Sequence, residues 1–114
     1  MKKPKVKESD LQKTIMDYLR LKHKALVFKH RNVGIFKKNT GKYIPLSFGE
    51  KGISDIIGCL PPDGKMIAVE VKSNTGVPSK EQVEFLDKVK ENGGIAILAY
   101  TIDDVIEKLK TSKN

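Results

Sequence analysis

Two apolar runs, KMIAVEVKS at 65–73 and IAILAY at 95–100, flank a segment that carries its own helix start and stop signals. Ser79 and Gln82 stand at capping-box spacing. Gly93-Gly94 closes the polar stretch that follows. A strand, then a helix from Ser79 to Asn92, then a second strand predicts a parallel crossover, which is almost always right-handed. That unit sets the class: α/β, a mixed sheet with helices on its faces. IAILAY is almost continuously apolar, so it is expected at the centre of the sheet.

The rest of the chain extends this unit. Leu11, Ile15, Tyr18 and Leu19 fall at i, i+4, i+7 and i+8, a helical stripe over about Glu8 to Lys22. ALVFKHRN at 25–32 is strand-like. VGIFKKNTGKYIPLSFGEKG at 33–52 is basic and rich in turn residues, a long loop or irregular hairpin. SDIIGCL at 54–60 is a short apolar strand, and Asp63-Gly64 turns it back into KMIAVEVKS. TIDDVIEKLK forms a last helix, capped near Thr101 or Asp103. The expected organisation is a basic N-terminal arm over 1–7 and a single domain over 8–110.

Charge is uneven. The chain carries net +8, with +10 in residues 1–42 and −2 in the remainder. A concentrated positive segment suits a partner rich in phosphates, although 20 of the 22 basic residues are lysine and could simply keep the surface solvated. Apolar runs are too short to span a bilayer, and no apolar segment follows the basic N-terminus as a secretion signal would. The expected location is therefore the cytoplasm. One cysteine, Cys59, excludes an internal disulfide and argues against a cysteine-rich zinc site.

The polar residues of the 65–73 strand need a cause. Ile67, Val69 and Val71 share one face, and Glu70 and Lys72 the other. Counting outward from the 61–64 turn brings Asp55 level with Glu70. Two adjoining carboxylates raise each other's pKa. A divalent cation such as Mg²⁺, which takes oxygen ligands, removes that penalty. The alternative is a solvent-facing Glu70–Lys72 ion pair on an edge strand.

Ser54-Asp55 followed by Glu70-Val71-Lys72 resembles the PD-(D/E)XK nuclease superfamily, with Ser54 in place of the proline. The surrounding sequence is similar to the small VRR-NUC branch. Gly52 matches its glycine before the Asp, Gln82 its glutamine in the following helix, and Glu8 its glutamate at the start of the first helix. The resemblance implies a restriction-endonuclease-like core and a Mg²⁺- or Mn²⁺-dependent deoxyribonuclease. Asp55, Glu70, the Val71 carbonyl and Glu8 would be its metal ligands. Lys72 and Gln82 would join Asp55, Glu70 and Glu8 as the catalytic set. Two readings stay open at two positions: Glu8 could serve only the helix dipole, and Gln82 only the cap of Ser79.

DNA is the expected partner, gripped through phosphates by Arg31, Lys37, Lys38, Lys42 and Lys51. A grip without a base-reading module favours DNA structure (branches, flaps, four-way junctions) over DNA sequence. Cutting two strands with so small a chain implies a homodimer, as does the resemblance. No membrane and no small-molecule cofactor is expected. The competing readings are a non-catalytic DNA-binding module on the same fold and a protein whose basic arm binds an acidic partner.

Overall fold

The structure is a computed structural model, and it describes residues 7–30, 34–37, 40–45 and 52–111. Helix α1 spans Glu8–His23 and is followed by strand β1, Leu26–Lys29. Strands β2, Gly34–Lys37, and β3, Lys42–Pro45, pair with each other as a separate antiparallel hairpin. Strands β4, Ile56–Leu60, and β5, Lys65–Val71, come next. Helix α2, Lys80–Glu91, strand β6, Ile95–Ala99, and helix α3, Ile102–Thr111, complete the order.

The main sheet has the order β1-β4-β5-β6. β1 and β5 both run antiparallel to β4, and β6 runs parallel to β5. The crossover through α2 thus joins neighbouring parallel strands, as expected. Ile67, Val69 and Val71 pack with Ile56, Val27, Ile95 and Ile97 under α1 and α3, through Leu11, Ile15, Leu19, Val105 and Leu109. On the opposite face Ala68 and Ala96 pack under Leu86 and Val89 of α2. Helices therefore cover both faces, the arrangement of a restriction-endonuclease-like core.

One expectation is corrected. β6 is an edge strand of the sheet among the described residues, and the central pair is β4 and β5. Its apolar run reflects cover on both faces: Ile95, Ile97 and Ala99 lie under α3, and Ala96 and Leu98 under α2. Period and polarity report which faces are buried, not how many hydrogen-bonded neighbours a strand has. α3 takes Thr101 as its cap: the Thr101 hydroxyl accepts from Asp104 N–H at 3.2 Å, and Asp104 Oδ2 accepts from Thr101 N–H at 3.1 Å. α1 begins at Glu8, and Lys7 in the cap position makes no side-chain capping bond.

The backbone of β1 occupies the space that a side chain at Gly58 of β4 would need. A Cβ there would stand 2.0 Å from the Leu26 carbonyl oxygen and 2.7 Å from Val27 Cα. Among the described residues, no helix is long and apolar enough to cross a membrane. Gly58→Ala is expected to destabilise the domain by about 1–3 kcal/mol, since backbone must give way to the methyl group. Urea unfolding of this variant against the parent measures it.

Candidate active site

The β4–β5 register builds the site. Ile56 pairs with Val69, so the residue before one and after the other, Asp55 and Glu70, stand level. The Asp55 carbonyl accepts from His30 N–H at 2.8 Å, which ties the end of β1 to the same point. Asp55 Oδ2 accepts from Val71 N–H at 2.8 Å. In extended chain a residue's N–H and C=O point to the same side, so the Val71 carbonyl also faces the Asp55 side of β5.

Glu70 is 1% exposed, in an interior strand. A solvent-facing ion pair on an edge strand is therefore excluded. Glu70 Oε1 accepts from Gln82 Nε2 at 3.0 Å and stands 3.9 Å from Lys72 Nζ. Glu70 Oε2 is buried with no hydrogen-bond partner. Burial pushes the Glu70 carboxyl from 4.5 up to about 8; the Asp55 and Glu8 charges add to the rise, and Lys72 opposes it. An acceptor oxygen without a donor, next to a second carboxylate, has room in its chemistry for a proton or a cation.

Gln82 both caps α2 and contacts Glu70. Its Oε1 accepts from Ser79 N–H at 2.8 Å, and its backbone N–H donates to Ser79 Oγ at 3.1 Å, closing the capping box. With the amide oxygen fixed on Ser79, the amide nitrogen is left to meet Glu70. This needs α2 to start close by, and Gly52 allows it. A Cβ on Gly52 would stand 2.3 Å from both the carbonyl carbon and the oxygen of Glu81, and its φ is +83°.

Glu8 sits at the rim. It is exposed, and its Oε1 accepts from Ser73 N–H at 2.9 Å, pinning the start of α1 to the chain just past β5. Among the described residues, no group of three or more His, Cys, Asp or Glu side chains is arranged to hold a metal. Asp55, Glu70, Lys72 and Gln82 are thus brought together, with Glu8 beside them. Arg31, Lys38 and Lys51 lie outside the described residues. Lys37 and Lys42 are register partners across the β2–β3 hairpin.

Sequence reasoning missed Tyr100 and Gly76. The Tyr100 hydroxyl donates to the Gly76 carbonyl at 2.9 Å, and Gly76 N–H donates to the Ser73 carbonyl at 2.9 Å. A Cβ on Gly76 would meet Lys72 Cβ at 3.2 Å and Cδ at 3.3 Å, so the loop lies against the lysine's aliphatic stem. The one signal for this contact in the sequence is the aromatic residue that ends the IAILAY run, and nothing there marks a use for its hydroxyl.

A carboxyl whose folded pKa lies above its unfolded value favours the fold in its protonated form. That contribution is whole below about pH 4.5 and is lost as pH rises through about 8. The metal-free protein is expected to lose on the order of a few kcal/mol across this window relative to Glu70→Gln, which keeps the shape and removes the titration. Melting curves of the two proteins from acid to alkaline pH measure the difference.

A family model for the VRR-NUC domain matches residues 6–102. No curated protein and no solved structure gives a match. The matched span contains Glu8, Asp55, Glu70, Lys72 and Gln82, together with the whole main sheet. The chain belongs to the VRR-NUC family, a nuclease-type domain that processes DNA.

Proposed function

We propose that this chain is a Mg²⁺- or Mn²⁺-dependent deoxyribonuclease that hydrolyses phosphodiester bonds and selects DNA by structure. The observation that carries the reading is Glu70: a buried carboxyl beside Asp55, with one oxygen lacking any donor. Such a pair is costly without a positive charge between its members.

Asp55, Glu70 and the Val71 carbonyl would hold the cation, with Glu8 reaching it through water. When bound, a divalent cation lowers the pKa of a coordinated water and neutralises charge on the scissile phosphate. The remaining work falls to side chains. Lys72 is on the same face as Glu70, and its side chain is 19% exposed. It presents its ammonium to the phosphate and stabilises the negative charge that develops there. Gln82 fixes one Glu70 oxygen by its amide and leaves the other available. Tyr100 is a positioning residue, holding the Gly76 loop against the Lys72 stem.

The β2–β3 hairpin sets Lys37 opposite Lys42. With Arg31, Lys38 and Lys51 from the same basic segment of the sequence, these lysines would grip backbone phosphates. Two cuts in a branched substrate require two centres, so the working form is a homodimer.

Cleavage of linear, flap and four-way DNA with Mg²⁺ or Mn²⁺ tests this directly. Wild type is expected to cut, with preference for branched substrates. Lys72→Ala is expected to bind DNA as wild type does and cut at least about 100-fold more slowly. A wild type that binds DNA but cuts nothing with either metal leaves only a DNA-binding module. Tyr100→Phe is expected to lower kcat roughly tenfold at unchanged KM and melting temperature, since it misplaces Lys72 without touching substrate. A loss that merely follows a lower melting temperature would make Tyr100 a structural residue only.

A further inference from the structure

The basic residues singled out in the sequence come from one segment, 31–51. A second positive surface lies elsewhere. Between α1 and β1 runs a groove of about 340 Å³, lined by Ser9, Lys13, Met16, Asp17, Arg20 and Lys29. Met16 is buried and forms its floor; the others are exposed. Three cations face one acid across this lining.

We propose that this groove binds the DNA sugar-phosphate backbone on one side of the scissile phosphate. The inference rests on the nuclease reading above and adds to it where a flanking strand lies. Three observations carry it. First, one end of the groove adjoins the candidate centre. Ser9 follows Glu8, which bonds Ser73, and Lys29 precedes His30, whose N–H bonds the Asp55 carbonyl. Second, Arg20 is held in place. Its Nη2 donates to the Val27 carbonyl at 3.0 Å, which orients the guanidinium and uses one of its five N–H donors. Third, the acid is readily displaced from its partner. Lys13 and Asp17 meet at 3.4 Å with side chains 81% and 53% exposed, and a surface pair of this kind contributes little.

The dimensions fit. From Ser9 to Arg20 the helix rises about 16 Å, since each residue adds 1.5 Å. That matches roughly five base steps of a duplex, at 3.4 Å per step along one strand. Lys13, Arg20 and Lys29 stand around the Met16 floor, and charged side chains of this kind hold the sugar-phosphate backbone without reading sequence. It also separates the two electrostatic tasks. The carboxylates at the end of β5 repel phosphate on their own, and the cations of α1 and β1 hold the neighbouring phosphates against that repulsion.

Binding of a short mixed-sequence duplex, followed by fluorescence anisotropy in a chelating buffer over a range of salt concentrations, tests the groove apart from chemistry. Lys13→Ala/Lys29→Ala is expected to weaken binding about tenfold at low salt and to reduce the slope of log K against log salt by about two. A charge-matched control on α2 and α3, Lys88→Ala/Lys110→Ala, should leave the slope as in wild type. An unchanged slope in the groove variant, or an equal change in both variants, would overturn the proposal. A wild type that binds with the expected salt dependence but never cuts would overturn the nuclease reading and leave the groove standing.

Discussion

The buried carboxyl of Glu70 is the constraint on which the rest of the structure turns. A carboxylate at 1% exposure in the middle of a sheet opposes folding at neutral pH unless something compensates. Several features that look unrelated serve it. The hairpin register sets Asp55 level with it. The α2 cap spends one end of Gln82 on Ser79 and the other on Glu70. Gly52 has no side chain, so the start of α2 can come close enough for that bond. The apolar face of the same strand anchors it through Ile67, Val69 and Val71, so Glu70 cannot swing out to water without breaking the core.

Much of this was legible in the sequence because it follows from period two and from turn position. Alternation along KMIAVEV separates valines from Glu70, and a hairpin count needs only the Asp63-Gly64 turn to bring Asp55 opposite. The Ser79–Gln82 cap was equally local. What failed was information that sequence pattern does not hold. Strand order is one case: IAILA is apolar because two helices cover it, and it nonetheless lies at an edge. The Tyr100–Gly76 contact is another, since it joins residues 24 apart through a loop whose path no propensity gives. The α1–β1 groove is a third. Its lysines and arginine are ordinary surface residues until α1 is laid beside β1.

The charge distribution takes on a division of labour in this picture. Three acidic groups meet near the C-terminal end of β5, where the Asp55 and Glu8 charges raise the Glu70 carboxyl. Basic residues are concentrated in the first 42 positions of the sequence, and three of them, Lys13, Arg20 and Lys29, line the α1–β1 groove. A negative centre beside a positive groove repels phosphate at one point and attracts it next to that point. A cation at the centre reverses the sign at that point, which would make DNA engagement and metal occupancy mutually reinforcing under the proposed mechanism.

The state of Glu70 itself is the most direct test. Carbon-13 NMR of its side-chain carboxyl, followed through a pH titration with and without Mg²⁺, reports the group without passing through activity. A midpoint of about 8 in metal-free protein that falls well below 7 when Mg²⁺ is added, and in Asp55→Asn a midpoint lower than 8 but above the ordinary glutamate range that Mg²⁺ no longer moves, is the predicted result. A midpoint in the ordinary glutamate range that ignores Mg²⁺ would contradict the account, because Glu70 would then be neither strained by its burial nor available to a cation.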